Sequence, residues 1–597
     1  MSDFENAAFA GTLSPIDRRF AEMLRRKDES AQAQTVAISA AVISAQRGLG
    51  QSCILLREWA GKRVPEKDGI VLPDEKKWLR ELKESSLVSN GSRPAPLVLD
   101  ASGRAYLYRY WAAEQKLVKH IRSRLERPPE QSDFTKLAPL FQRLFPPEDK
   151  RVEWQAVAAA SCLRHSFAVI SGGPGTGKTT TVARVLALLL ERNKESRISL
   201  AAPTGKAAAR LAEMISEQAS ILPISDTVRE RIPKSAQTLH RFLGYDPIGD
   251  QFRYNVERLK SVDTLIVDEA SMVDLLLMEA TFEALPASAR VILLGDSGQL
   301  ASVETGYVLG DICRAAGSGE KSAIFARDCQ ILSGRKLAPA KGARALGDAV
   351  VELQVNWRFE KQPGISSAAM ATRAGRSDEV LKLLSDRTYP DLVWSEPGAM
   401  LTAEKRVDPV APHLGRLMNA DSPAQALEEL AAFRILCAIR EGPWGVSGCN
   451  TAVEHWLRQR GWLDGKWYRG RPILVTANDY NVRLFNGDVG ICWPDGSGTF
   501  AWFSGEDQPR RIPLAKLPQH ETAWAMTVHK SQGSEFNHIL LVLPDRDVPL
   551  LTRELFYTGI TRAGKSVHIT GSADLIRAAV ERTAVRNTGL CDALSRS

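Results

Sequence analysis

One eight-residue stretch limits what this chain can fold into. Gly172-Gly173-Pro174-Gly175-Thr176-Gly177-Lys178-Thr179 meets every required position of GxxxxGK[ST]. Its flanks fit the motif. The apolar run Phe167–Ile170 predicts a strand before it, and Val182, Val185, Leu186, Leu189 and Leu190 predict an amphipathic helix after it. Glycines in such a loop let backbone N–H groups approach phosphate oxygens, and the helix N-terminus adds a favourable dipole. Lys178 brings a cation to the β- and γ-phosphates of a nucleotide, and Thr179 offers its hydroxyl to Mg2+. Thr180 extends the same set of contacts.

A phosphate loop of this kind needs a parallel sheet around it, and the sequence supplies one. Ile198–Ala202, Thr264–Val267 and Val291–Leu294 are further short β-rich runs alternating with helical segments. Leu265-Ile266-Val267-Asp268-Glu269 ends a strand in two carboxylates. Asp268 is assigned to the magnesium shell and Glu269 to polarising an attacking water. Gly295-Asp296-Ser297-Gly298-Gln299-Leu300 follows another buried strand and points to the same carboxyl edge. Gln299 is its candidate contact to the γ-phosphate.

The rest of the chain divides around this block. Up to about residue 125 it reads as helical with a small β element. Ser14-Pro15 starts a helix, Val36–Ala45 predicts a buried helix ending near Gly48, and Leu97-Val98-Leu99 with Ala105–Tyr108 predicts a hairpin. Pro128-Pro129 and Pro146-Pro147 punctuate the next stretch. Residues 315–345, rich in Gly, Ala and Lys/Arg, are expected to form a mobile connection. A second α/β pattern starts near 350, and glycine- and aromatic-rich β-like sequence interrupts it from about 465 to 515.

Composition narrows the function classes. The net charge of +8 permits an anionic partner without demanding one. Most of it lies in residues 1–150, which carry +5, whereas residues 351–597 carry +1. Eight cysteines without a CxxC pair point away from a zinc site and a disulfide scaffold, toward reduced thiols in the cytosol. No apolar run approaches the roughly 18 residues of a membrane span, and no secretory signal is expected at the N-terminus.

Taken in order, the motifs resemble those of superfamily 1 helicases. Trp154-Gln155 stands where these enzymes place an adenine-reading glutamine. Ala202-Pro203-Thr204-Gly205-Lys206-Ala207-Ala208 resembles their motif Ia, and Thr238-Leu239-His240-Arg241 resembles the next DNA-facing motif. Val355-Asn356-Trp357-Arg358-Phe359 resembles motif IV, with Trp357 where Tyr is more usual. Thr527-Val528-His529-Lys530-Ser531-Gln532-Gly533-Ser534-Glu535-Phe536 resembles motif V, and Tyr557-Thr558-Gly559-Ile560-Thr561-Arg562-Ala563 resembles motif VI. Within that superfamily, four segments are similar to the RecD family, the alpha subunits of exodeoxyribonuclease V. They are Leu13-Ser14-Pro15-Ile16-Asp17, Ser44-Ala45-Gln46, the segment Leu436–Val446, and Asn478-Asp479-Tyr480 with Leu484–Gly490.

The resemblance implies a fold: two RecA-like P-loop NTPase lobes with parallel sheets, a mainly helical N-terminal domain and a small SH3-like β insertion in the second lobe. The implied boundaries are 1–125 for a subunit-docking domain, 126–350 for the first lobe and 351–597 for the second. It implies ATP and Mg2+ as cofactors, with Gln155 and Glu535 on the nucleotide (Glu535 alternatively coupling to DNA). Arg358 and Arg562 become fingers reaching from the second lobe to the γ-phosphate, a job suited to a planar, permanently charged fork. Pro203, Thr204, Lys206, His240, Thr527, His529 and Lys530 become DNA contacts. A hairpin at 244–255 is either a strand-separating pin or a plain surface hairpin. Trp467, Tyr468, Tyr480, Phe485, Trp493, Phe500 and Trp502 either stack on bases or fill a small β core. The implied activity is 5′-to-3′ unwinding of DNA for recombinational break repair, beside RecB-like and RecC-like subunits in the bacterial cytosol, with any nuclease site in another subunit. A stand-alone helicase of the same superfamily and an ATP-gated clamp that does not unwind remain the alternatives.

Overall fold

The computed structural model describes residues 13–64, 70–127, 134–149, 153–357, 362–396, 403–479, 481–505 and 508–596. The first lobe is built on a six-stranded parallel sheet. In spatial order its strands are Val350–Glu352, Phe167–Ser171, Arg290–Gly295, Thr264–Val267, Ile198–Ala202 and Ala236–Thr238. The central strands are apolar at nearly every position because helices cover both faces. This order sets the site. The strand before the phosphate loop lies next to Arg290–Gly295, and the carboxylate strand Thr264–Val267 lies one place further out. Gly172 N–H donates to Gly295 O at 3.1 Å, so the phosphate loop and the Asp296 loop leave the sheet side by side.

The second lobe repeats the plan with five parallel strands. They run Leu392–Ser395, Ala563–Thr570, Phe536–Val542, Phe433–Cys437 and Ala525–Thr527. A separate five-stranded antiparallel sheet covers Pro472–Val475 to His520–Thr522, where β-like sequence was expected. Of the aromatics there, Tyr468 and Trp493 are buried in the second-lobe core and Trp502 packs partly against it. Trp467 leans on the small sheet's own core, and Tyr480 lies outside the described residues. For Tyr468 and Trp493 the structure therefore favours core filling over base stacking.

The expected mobile connection at 315–345 is corrected by the structure. Helix Ala323–Ser333 runs through it, capped by Ser322, with Phe325, Cys329 and Leu332 buried in the first-lobe core. Lys321, also buried, donates to the carbonyls of Gly347 at 2.5 Å and Val350 at 2.7 Å. The i, i+4, i+7 apolar stripe is only three residues long, and the surrounding glycines and lysines hid it.

The N-terminal unit packs helices Pro15–Lys27 and Ala33–Gly48 against the four-stranded sheet Cys53–Leu55, Arg104–Leu107, Leu97–Leu99 and Val88–Ser89. The expected buried helix and hairpin are both present. Ser14 and Asp17 form a capping box at the first helix. Helix Tyr108–Glu126 then leaves this unit and places Tyr110, Leu117, Val118 and Ile121 in the first-lobe core.

The far end of the chain returns to the same place. Asn587 O accepts from Ser52 N and Cys53 N, and helix Leu590–Ser595 buries Leu590 and Leu594 in the first-lobe core. At this junction Glu114 is 1% exposed, taking hydrogen bonds from Ser52 Oγ at 2.6 Å and Gly589 N at 3.1 Å. Burial pushes its carboxyl up to about 8. The unfolded chain releases that proton near 4.5. Between the two values the native state holds the extra proton, so stability falls as pH rises and levels off above about 8. We expect the melting temperature to drop between roughly pH 4.5 and 8 for this reason. Glu114→Gln should flatten that part of the profile, and an unchanged slope in the variant would remove Glu114 as its cause.

Candidate nucleotide site and the cleft between the lobes

The phosphate loop, the Pro203–Lys206 segment, Asp268-Glu269 and the Asp296 loop all leave the sheet at its carboxyl edge, where open parallel sheets bind ligands, while Gln155 stands on helix Glu153–Arg164. Helix Lys178–Arg192 starts directly from the phosphate loop, with Gly177 as its left-handed cap (φ 84°). Only glycine fits there. A Cβ on Gly177 would lie 2.3 Å from Gln155 Nε2. Lys178 Nζ turns back over the loop, 2.6 Å from Gly172 O and 3.1 Å from Gly173 O. Thr176 Oγ1 donates to Gly173 O at 2.9 Å. Thr179 and Thr180 occupy the first turn of the helix and are partly exposed. Gln155 is 4% exposed; it donates to Thr176 O at 3.3 Å and accepts from Arg184. The predicted adenine reader is thus hydrogen-bonded to the loop itself.

The segment after strand Val350–Glu352 crosses this loop. Asn356 Nδ2 donates to Pro174 O at 2.8 Å and Trp357 N to Gly175 O at 2.9 Å. Arg358, the first finger candidate, lies outside the described residues.

Asp268 and Glu269 follow strand Thr264–Val267 as expected. Asp268 N donates to Ala201 O at 2.9 Å, and Glu269 N donates to Asp268 Oδ1 at 2.8 Å. Glu269 holds a left-handed backbone (φ 50°), an unusual conformation for a non-glycine residue. Burial and the charge of Glu269 push Asp268 up to about 6, with Lys178 pulling the other way. A carboxyl whose proton affinity is raised by burial and by a neighbouring carboxylate is a fit environment for a divalent cation, which would relieve that repulsion.

Gln299 is 3% exposed, and its Nε2 donates to Asp296 Oδ2 at 3.0 Å. The second lobe closes directly on this loop. Tyr557 Oη donates to the same Asp296 Oδ2 at 3.0 Å. Leu300 N donates to Thr558 Oγ1 at 3.0 Å, and Gln532 Nε2 donates to Leu300 O at 3.0 Å. Arg373 pairs with Glu352 and reaches Ser297 Oγ at 3.5 Å. Sequence reasoning gave Tyr557, Thr558, Gln532 and Arg373 no role. The first three stood inside quoted motif strings. Arg373 carried no signal, being one basic residue at the end of an ordinary helix, Pro363–Arg373.

The remaining candidates fall into three groups. Pro203, Thr204 and Lys206 line the cleft at the start of helix Gly205–Ile221, where Thr204 Oγ1 caps Ala207 N at 3.2 Å. Opposite them stands the motif V tip. Lys206 Nζ donates to Ser534 Oγ at 2.9 Å, and Glu535 pairs with Arg210. Arg562 is 2% exposed and donates from Nη1 to Ser534 O at 3.2 Å. The second group, Thr527, His529 and Lys530, lies at the end of strand Ala525–Thr527. Lys530 Nζ pairs with Glu521 at 2.6 Å, and Arg440 holds the same carboxylate at 2.7 Å. His240 stands apart at the base of the predicted hairpin, its ring against Tyr245 and Phe252. That hairpin, Tyr245–Asp246 paired with Gln251–Phe252, projects outward, with Ile248 at its tip 97% exposed.

Three family models match: "AAA domain" over residues 154–305, "RecBCD enzyme subunit RecD, N-terminal domain" over 10–108, and "UvrD-like helicase C-terminal domain" over 522–570. The chain is 37% identical to the RecBCD enzyme subunit RecD of Mycolicibacterium smegmatis, across 98% of each chain. It is 30% identical to the ATP-dependent RecD2 DNA helicase of Deinococcus radiodurans, across 82% of this chain and 58% of that one. A crystal structure of Bacteroides Pif1 bound to ssDNA aligns with 68% of this chain and 90% of its own, at 18% identity and a TM-score of 0.33.

Proposed function

The chain belongs to the RecD family of RecBCD enzyme subunits, and on that premise we propose a two-lobed motor that moves 5′ to 3′ along one DNA strand. It is an ATP-dependent DNA helicase subunit. We place its working units at 1–125, 126–350 and 351–597, with strand Val350–Glu352 and the terminal helix Leu590–Ser595 added to the first lobe. Its partners in this reading are RecB-like and RecC-like subunits of the bacterial cytosol, and its task is opening duplex ends for recombinational break repair. Among the described residues no helix is long and apolar enough to cross a membrane.

One observation carries the mechanism: the second lobe seals against the very loops that would hold the γ-phosphate. Lys178 exchanges the carbonyls of Gly172 and Gly173 for phosphate oxygens when ATP enters. Asp268 and the Thr179 hydroxyl would hold Mg2+, which supplies positive charge to the phosphates when bound. Glu269 orients the attacking water, and Gln299 contacts the γ-phosphate. Arg562 completes the site from the other lobe, so hydrolysis requires closure. Closure and opening shift the Pro203–Lys206 edge against the Gly533–Glu535 tip. That relative movement is what would step the chain along a strand.

The direct test is unwinding by the chain, purified with whatever it binds in its native cell, on duplexes carrying a 5′ or a 3′ tail. The expected result is co-purification with two large subunits and opening of the 5′-tailed substrate by the RecD-type motor. Preference of that motor for 3′ tails would overturn the direction. Hydrolysis without strand separation would favour a clamp, and recovery of the chain alone would favour a stand-alone enzyme.

A further inference from the structure

Tyr557 belongs to the second lobe, yet its hydroxyl lies between two loops of the first. It donates to Asp296 Oδ2 at 3.0 Å. It also rests on the phosphate loop, because a Cβ added to Gly173 would lie 2.8 Å from Tyr557 Oη and 3.9 Å from Asp296 Oδ2. Asp296 is 1% exposed and Tyr557 5%. Asp296 in turn fixes its own loop, taking Gly298 N at 2.9 Å on Oδ1 and Gln299 Nε2 at 3.0 Å on Oδ2. One carboxylate oxygen thus receives the tyrosine of one lobe and the glutamine of the other. Burial and the Asp296 charge keep the phenol protonated, so it remains the donor.

We infer that Tyr557 is a positioning residue for ATP hydrolysis: through Asp296 it sets the side chain of Gln299, so that Gln299 is correctly aimed only while the lobes are closed. This rests on the reading of Gln299 as the γ-phosphate contact. The hydroxyl makes no bond that the fold needs elsewhere among the described residues. The ring is held by the buried helix Arg553–Thr561, and Asp296 keeps two donors from its own loop when the hydroxyl is removed. When the cleft opens, the Tyr557 bond parts, and Asp296 is free to shift with Gln299.

The test uses the full-length chain with a single-stranded oligonucleotide as activator. Gln299→Ala is measured first. If it leaves DNA-stimulated turnover unchanged, the γ-phosphate reading of Gln299 fails, and this inference fails with it. Given a loss there, Tyr557→Phe is expected to lower kcat about tenfold, the size of one lost hydrogen bond to a charged group, with KM for ATP and the melting temperature unchanged. In the Gln299→Ala background the same substitution should cost nothing further. Gly173→Ala should also depress kcat, by wedging a methyl against the hydroxyl, and Tyr557→Phe should partly restore it. Turnover of Tyr557→Phe within twofold of wild type, fully multiplicative losses with Gln299→Ala, or no rescue of Gly173→Ala would each overturn the inference.

Discussion

Lys178→Ala is expected to lower DNA-stimulated ATP hydrolysis by about 10²–10³-fold, and with it all 5′-tailed unwinding by this motor. The ammonium is the only side-chain cation that the described phosphate loop itself provides, and it already lies over the carbonyls of Gly172 and Gly173 at 2.6 and 3.1 Å. Its removal takes away a preorganised donor facing developing phosphate charge, the class of interaction whose loss costs about that much. The fold should not notice. Lys178 is partly exposed in the first turn of its helix, and a substitution there changes stability by about 0.5 kcal/mol or less. Steady-state hydrolysis and a thermal melt on the same preparation decide the matter. Retained hydrolysis with a normal melt would mean that the nucleotide is held elsewhere.

Arg562→Lys carries the other large effect, a loss of about 10³ in turnover with nucleotide affinity little changed, as expected for a finger acting on transition-state charge. The side chain is almost wholly buried, with one guanidinium nitrogen spent on Ser534 O. Its Nε has no hydrogen-bond partner among the described residues. A buried donor left in that state costs on the order of 1–3 kcal/mol, which fits a group held ready for an acceptor arriving from outside. Lysine preserves the charge but not the fork. The conservative change therefore separates a phosphate-binding role from simple charge balance in the cleft. Nucleotide-analogue binding and single-turnover hydrolysis measure the two sides. A lysine variant that keeps a tenth or more of the turnover would make Arg562 a structural residue of the motif V tip. Ser534 also receives Lys206 of the first lobe, so that outcome would be read in the lobe contact.

Local chemistry made much of this protein legible in its sequence. A glycine-rich turn that must lie against phosphate, followed by a helix and preceded by a strand, has few architectures open to it. Gly172–Thr179, Asp268 and Glu269 took the places their spacing predicted at the edge of a parallel sheet. Apolar runs buried on both faces predicted the strands, and a strong N-cap predicted the first helix. Short stripes failed. Phe325, Cys329 and Leu332 form too brief a pattern to stand out from glycines and lysines, so a packed helix read as a mobile link.

What the sequence alone determined is the set of groups whose function depends on neighbours within a few residues. The tertiary structure decided the pairings across hundreds of residues: Tyr557 with Asp296, Gln532 with Leu300, Lys206 with Ser534, and Asn587 with Ser52 and Cys53. The physical reason is the same in each case. Hydrogen bonds between segments far apart in the chain depend on sheet order and on how the units pack together, and neither leaves a period or a spacing in the chain.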